Sequence, residues 1–157
     1  MLRLYFLGAA LLALLDQLSK LAVVKYLQPI PSVPLLKGIF HLTYCENRGA
    51  AFGILQDRFG LLFVITALVI VAVSVYMVKT RPKSAWLTYS LTLLIGGALG
   101  NLIDRVFRGF VVDFLDFCLI HFPVFNVADC FVVSGACLLI VYVLFIEGRK
   151  PEDKKEE

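Results

Sequence analysis

The residues best suited to chemistry are two aspartates, Asp113 and Asp129, in a stretch from Gly96 to Asp129 where polar side chains interrupt strongly apolar sequence. An ionisable side chain is costly in hydrocarbon, so its presence there indicates pairing, a wet cavity or catalysis. Each of the two aspartates lies at a junction between an apolar helix and a less regular segment. We therefore expect the two carboxylates to meet at the membrane surface and to share a water molecule.

Two such carboxylates within hydrogen-bonding range would act as a pair. They cannot both ionise cheaply, so near neutral pH they hold one proton between them. The ionised carboxylate would take a proton from water, which attacks a peptide carbonyl, while the protonated carboxylate donates to the carbonyl oxygen. From spacing alone, a structural polar network in a transporter or a proton relay is the competing interpretation.

Helical spacing predicts which polar groups surround the pair. Asn101, Asp104 and Arg105 fall at i, i+3 and i+4 and share one helix face, and Asn126 and Asp129 form a second i,i+3 pair. Arg105 could hold a substrate carbonyl, and the two asparagines could orient the dyad or the substrate. Both clusters are expected at the same leaflet.

Other candidate residues are weaker. Asp116 lies three residues beyond Asp113, and spacing alone does not exclude it as the second carboxylate. His41 and His121 are the two histidines, and neither has a companion at metal-ligand spacing, so no metal site and no cofactor are predicted. Ser134 is expected to pack in its helix, since no histidine lies in reach of it.

Composition indicates a polytopic membrane protein. The chain has 157 residues, 60% of them hydrophobic, and a mean hydropathy of +0.86, against about 45–50% apolar residues in soluble domains. A net charge of +3 with 17% charged residues leaves no basic stripe for nucleic acid. We expect a single membrane domain over residues 1–147, with membrane lipids as its surroundings.

Four spans are predicted, at about residues 4–27, 60–78, 85–105 and 126–146, each long enough to cross a core of about 30 Å. Residues 28–58 form an outer loop in which three prolines break any helix and residues 38–46 alternate as a strand does. Residues 148–157 are too charged to fold and are predicted to be a disordered cytoplasmic tail.

Basic residues set the expected orientation. Eight of the fifteen lie at the N-terminus, in the 79–84 turn and in the tail: Arg3, Lys79, Arg81, Lys83, Arg149, Lys150, Lys154 and Lys155. The positive-inside rule makes that face cytoplasmic, so both termini are expected inside and the candidate site at the outer leaflet.

Two polar residues interrupt the first span. Asp16 and Lys20 are i,i+4 on one face, which favours an ion pair with each other and with neighbouring helices over a catalytic role.

The four cysteines lack the spacing of a zinc site or a disulfide scaffold. Cys130 and Cys137 are expected to be small packing residues in the last span, while Cys45 and Cys118 could be free thiols or a disulfide.

Five ordered motifs carry a resemblance to a known family. The sequence is similar to the lipoprotein signal peptidase family, signal peptidase II, in Asp16-Gln-Leu-Ser-Lys20, Asn47-Arg-Gly-Ala-Ala-Phe-Gly53, Gly96-Gly-Ala-Leu-Gly-Asn-Leu-Ile-Asp-Arg105, Val111-Val-Asp-Phe114 and Phe125-Asn-Val-Ala-Asp129. The resemblance implies an aspartic endopeptidase of the bacterial inner membrane. Such an enzyme removes the signal peptide of a prolipoprotein on the N-terminal side of the cysteine that carries a diacylglyceryl group, and is inhibited by globomycin.

The resemblance also implies roles for individual residues and a fold. Asp113 and Asp129 would be catalytic, and Asp16, Lys20 and Asp104 would support the site. The site would be lined by Asn47, Gly49, Asn101, Arg105 and Asn126. The fold would be an all-α polytopic membrane protein, with four transmembrane helices, a small extracytoplasmic β-sheet and a short amphipathic arm over the site.

Overall fold

Four long helices make up most of the chain. The structure is a computed structural model and describes residues 2–30, 32–49 and 58–147. Its helices are α1 (Leu2–Tyr26), α2 (Phe59–Thr80), α3 (Ala85–Arg108) and α4 (Val127–Val141), the last continued by a π-helical segment, Tyr142–Ile146. All four are long and apolar enough to cross a membrane, so the prediction of four spans is confirmed. The predicted tail lies outside the described residues.

α3 is the central helix and packs against each of the other three. Two glycines allow the close approach. A Cβ at Gly97 would lie 2.4 Å from the carbonyl oxygen of Ala128 in α4, and one at Gly100 would lie 2.5 Å from a carboxylate oxygen of Asp16 in α1. Small residues at such contacts let membrane helices pack backbone to backbone.

α3 ends where the chain turns toward the candidate site. Gly109 follows it with φ 78°, and its N–H donates to the carbonyl oxygen of Arg105 at 3.2 Å. Glycine adopts this left-handed conformation without a Cβ penalty, which makes it a common residue just after a helix. The chain then enters a strand.

A three-stranded antiparallel sheet covers this end of the bundle. Its order is β1 (Val33–Leu36), β2 (Phe40–Asn47) and β3 (Val111–Asp116). The outer-loop strand predicted from residues 38–46 is confirmed as β2. The expectation that a less regular segment surrounds Asp113 is wrong, because that segment is β3, paired with β2 so that Cys45 lies opposite Asp113. The Phe-rich part of the outer loop, on which the predicted amphipathic arm partly rests, includes residues 50–57, outside the described residues.

A small apolar core fixes the sheet to the bundle. Val112 and Phe114 of β3 are buried against Val23 and Leu27 at the end of α1. α1 also has an exposed apolar face, as expected for a helix in contact with lipid. The leucines on this face are each more than half exposed: Leu4, Leu7, Leu11, Leu14, Leu15, Leu18 and Leu21.

Candidate active site

Asp113 and Asp129 line one cavity of about 800 Å³ at the sheet end of the bundle. Asp113 comes from the middle of β3 and is 1% exposed, whereas Asp129 comes from the first turn of α4 and is half-buried. A strand after α3 and the start of α4 therefore bring the two carboxylates to the same space. A cavity of this volume is within the range of ligand-binding pockets.

Asn126 connects the two aspartates. Its amide nitrogen donates to Asp113 Oδ1 at 2.6 Å, and its amide oxygen accepts from the backbone N–H of Asp129 at 3.0 Å. Its own backbone N–H donates to Asp129 Oδ2 at 3.2 Å, so Asn126 and Asp129 form a capping box that begins α4. The local signal that starts the helix is thus also the contact that holds the dyad.

Asn47, supported by Gly49, binds the other carboxylate oxygen of Asp113. Asn47 is the last residue of β2, and its Nδ2 donates to Asp113 Oδ2 at 2.8 Å. The Gly49 N–H donates to Asn47 Oδ1 at 2.9 Å, which orients the amide. Both residues line the cavity. The outer loop thereby supplies one of the hydrogen bonds to the buried carboxylate.

α3 contributes Asn101 and Arg105 to the cavity wall. Asn101 Nδ2 donates to Asp129 Oδ1 at 2.7 Å. Arg105 is half-buried, and its guanidinium reaches the Asn101 carbonyl oxygen at 3.4 Å. Within the described part of the chain, none of the ion pairs involves Arg105. Arg105 lines the cavity, and a guanidinium has five N–H donors, which suits it to bind a carbonyl oxygen.

Asp16, Lys20 and Asp104 are fully buried and lie behind this wall, outside the cavity lining. Lys20 pairs with Asp16 at 2.8 Å and with Asp104 at 2.9 Å, and Asp104 also pairs with Arg108. Asp104 Oδ2 accepts the backbone N–H of Val112 at 3.1 Å. The ion pair predicted for Asp16 and Lys20 is confirmed, and it connects α1 to α3 and, through Asp104, to the strand that carries Asp113.

The surroundings of Asp113 favour its protonated form. Burial, and secondly the neighbouring charge of Asp129, raise the pKa of Asp113 from its ordinary 3.8 to about 7, although Asn47 and Asn126 donate hydrogen bonds that oppose the rise. Asp113 therefore keeps its proton below about pH 7, far above the pH at which an ordinary aspartate loses it.

The alternative candidates lie elsewhere. Asp116, at the end of β3, accepts a hydrogen bond from Thr43 Oγ1 at 2.8 Å and does not line the cavity. His41 bonds to Ser32 and to the Gly38 N–H within the β1–β2 hairpin, and His121 is exposed after a short 3₁₀ turn. Among the described residues, no three His, Cys, Asp or Glu side chains are grouped closely enough to hold a metal ion.

Two expectations about α4 are wrong. Ser134 and Cys130 were expected to pack, but both are exposed and line the cavity; Cys137 is exposed too. Cys45 also lines the cavity, and both it and Cys118 are free thiols. Helical spacing from Asp129 could have predicted the part of the cavity wall formed by α4, because Val132 and Val133 lie three and four residues after it. Its apolar members were missed by sequence reasoning: Phe122, Pro123, Val124, Phe125, Val132 and Val133.

Sequence and structure comparisons all match this chain to bacterial membrane enzymes of one kind. A family model described as signal peptidase (SPase) II matches residues 8–145. The lipoprotein signal peptidase of Brevibacillus brevis is 45% identical over 146 residues, covering 93% of this chain and 97% of the relative. That of Halothermothrix orenii is 55% identical over 130 residues, covering 83% and 88%. A bacterial membrane enzyme solved by the in meso method at 2.3 Å superposes with a TM-score of 0.84 at 32% identity, covering 96% of this chain and 94% of the other.

Proposed function

The chain belongs to the signal peptidase II family, and we propose that it is a membrane aspartic endopeptidase that removes signal peptides from prolipoproteins. The observation that carries this proposal is the pair of carboxylates, Asp113 and Asp129, held at one cavity by the side chain and backbone of Asn126. The cavity lies at one end of four spanning helices, where a substrate that is itself anchored in the membrane would present its peptide.

Different roles for the two aspartates follow from their environments. Asp129 accepts a hydrogen bond from Asn101 at 2.7 Å and lies in the first turn of α4, where the helix dipole favours a negative charge. Asp113 is buried, and its pKa is raised to about 7. We assign Asp129 as the general base and Asp113 as the general acid.

The reaction then balances without a covalent intermediate. Asp129 takes a proton from water as the water oxygen bonds to the scissile carbonyl carbon, and Asp113 gives its proton to the carbonyl oxygen. When the C–N bond breaks, Asp129 passes its proton to the leaving amine. Asp113 recovers a proton from a hydroxyl of the tetrahedral intermediate as the carboxylic acid product forms. The dyad again holds one proton.

The cavity wall fits a lipid-modified peptide. Asn47, Gly49 and Arg105 offer hydrogen-bonding groups on one side, while Val132 and Val133 of α4 form an apolar side. Arg105 would hold a peptide carbonyl, and the diacylglyceryl chains would lie along the apolar side. The cut would then fall on the N-terminal side of the lipidated cysteine. Globomycin, as a peptide inhibitor of this family, is expected to occupy the same cavity.

The proposed orientation is supported by α3 together with the positive-inside rule. This helix begins beside the basic turn at residues 79–84 and ends beside the candidate site. With the basic turn in the cytoplasm, the site faces the outer leaflet of the bacterial inner membrane and both termini are cytoplasmic.

The test compares purified wild type with Asp113→Asn and Asp129→Asn on a diacylglyceryl-modified prolipoprotein. Each variant is expected to lose cleavage by at least about 10²–10⁴-fold, since each removes an acid–base group. Asp116→Asn is the matched control, because Asp116 lies on the same strand, bonds to Thr43 and does not line the cavity. Full cleavage by either dyad variant would contradict the proposal. Equal cutting of an unlipidated peptide would remove the lipid-recognition part alone.

A further inference from the structure

Lys20 carries a buried charge that takes no part in the proton transfers proposed above. It is fully buried on α1 and does not line the cavity. Its ammonium lies 2.8 Å from Asp16 Oδ2, 2.9 Å from Asp104 Oδ2 and 2.9 Å from Asn101 Oδ1. An ammonium has three N–H donors and no acceptor. Each donor therefore has a partner, and one of the three partners is a residue of the cavity wall.

The third contact determines how the Asn101 side chain is turned. An isolated amide can exchange its oxygen and nitrogen by rotation, but Lys20 can only donate, so the Asn101 oxygen must face it. The amide nitrogen is then directed to Asp129, whose Oδ1 accepts at 2.7 Å. A charge outside the cavity thus directs the Asn101 donor toward Asp129.

A second anchor supports the same arrangement. The backbone N–H of Asp129 donates to Asn126 Oδ1, which directs the Asn126 amide nitrogen to Asp113 Oδ1 at 2.6 Å and to Asn101 Oδ1 at 3.1 Å. Asn101 Oδ1 therefore accepts from Lys20 and from Asn126. Both donors hold the oxygen away from the carboxylate of Asp129.

We propose, on the basis of the proposed function, that Lys20 is a positioning residue that acts through Asn101 to keep Asp129 the ionised member of the dyad. Without Lys20, the Asn101 oxygen keeps one donor, Asn126 Nδ2 at 3.1 Å, which it shares with Asp113. The loss of the charged donor lets a rotated amide become populated, with its oxygen against the Asp129 carboxylate. That contact favours a protonated Asp129, which cannot accept a proton from water.

The variant that tests Lys20 must keep the buried charges balanced. Lys20→Met alone would leave Asp16 and Asp104 buried with Arg108 as the one cation among the described residues that still pairs with them. An unpaired buried charge can prevent folding. The double variant Asp16→Asn/Lys20→Met removes one charge of each sign. Asn at position 16 can still accept the Ala128 N–H, which bonds to Asp16 Oδ1 at 2.9 Å. Asp16→Asn alone is the matched control.

The experiment measures kcat and KM against pH for wild type, control and double variant, with thermal unfolding in detergent as the folding check. The double variant is expected to lose kcat by about 10- to 100-fold and to show the acidic limb of its kcat profile about one pH unit higher, as expected for loss of one hydrogen bond to a charged group. KM should stay within about threefold, since Lys20 does not face the cavity. The control should keep the wild-type acidic limb. A folded double variant with an unchanged acidic limb would overturn the proposal.

A second variant keeps the test decisive if the double variant does not fold. Asn101→Asp places an acceptor where the amide nitrogen donates to Asp129, so it reproduces the rotated amide in the presence of Lys20. It should also raise the acidic limb, and a profile like that of the wild type would overturn the argument. Failure of the proposed function is recognised separately, because Asp113→Asn or Asp129→Asn would then cut the substrate.

Discussion

Replacing Asp113 by asparagine is expected to separate activity from stability. The substitution removes the proposed general acid and should abolish cleavage. It should also make the protein more stable at alkaline pH, because asparagine cannot ionise in the buried position that Asp113 occupies with 1% exposure.

The size of the effect follows from the pKa of Asp113, which is raised from 3.8 to about 7. Between these pH values the folded protein binds a proton that the unfolded chain does not, so its stability falls as pH rises. The contribution of this group is fully present below pH 3.8 and is lost as pH passes about 7. At about 1.36 kcal/mol per pKa unit, the loss for wild type is about 4 kcal/mol.

Asparagine introduces an opposing cost. Asn47 donates to Asp113 Oδ2 and Asn126 donates to Oδ1, but an asparagine side chain has one oxygen, so one donor loses its acceptor. A lost hydrogen bond costs about 1 kcal/mol. This cost is the same at both pH values and cancels when they are compared. About 1 kcal/mol of the wild-type loss has already occurred at pH 4.5, so we expect Asp113→Asn to gain about 3 kcal/mol over wild type between pH 4.5 and pH 8.5.

The assay is denaturant unfolding of the detergent-solubilised protein at these two pH values. Titrating groups that are not coupled to Asp113 act equally in wild type and variant, so the difference between the two proteins reports the Asp113–Asp129 pair. Asp116→Asn should follow the wild-type curve, since Asp116 lies outside the cavity. If wild type and Asp113→Asn differ by the same amount at both pH values, burial does not raise the pKa of Asp113 and the assignment of the acid fails.

Three further predictions concern the same site and its supports. For wild type, kcat/KM should decline on the alkaline side with a midpoint near pH 7, because the Asp113 acid, with a pKa of about 7, loses its proton there; full activity at pH 9 would contradict this. In variants that retain a single cysteine, maleimide should block cleavage when that cysteine is Cys130, which lines the cavity. It should have little effect when the retained cysteine is Cys137, which is exposed on the same helix outside the cavity. Equal inhibition of the two variants would place the cavity elsewhere. Gly97→Ala should lower the unfolding free energy by about 1–3 kcal/mol, because the added Cβ meets the Ala128 backbone at 2.4 Å. Gly60→Ala is the control and should change it little, because no atom of the described residues lies within 4 Å of a Cβ added there.

The spanning helices were predictable because each is decided by local sequence. A run of uncharged residues from Gly60 to Val78 has no alternative in a membrane but a helix. β3 was not predictable in the same way. Its six residues form a strand because they pair with β2, whose Asn47 is 66 positions away from Asp113, and such a pairing leaves no local pattern.

The candidate site shows the same division. The types and spacing of Asp113 and Asp129 indicated a dyad, but not that Asn126 connects them by its side chain and its backbone. The cavity face of α4 was also missed. That helix is apolar all round, so no polar stripe indicates which side borders lipid and which borders the cavity where Ser134 lies.

The buried network behind the site has a consequence for how the protein enters the membrane. Asp16 and Lys20 are four residues apart on α1, and Asp104 and Arg108 are four residues apart on α3. Each helix thus has its own ion pair and can neutralise these charges before it meets the other, which lowers the cost of inserting each segment as it is synthesised. When the helices associate, the contact between Lys20 and Asp104 joins the two pairs into one network. Assembly adds a contact between charges that are already paired within their own helices, so association of the two helices does not require an unpaired charge of this network in lipid.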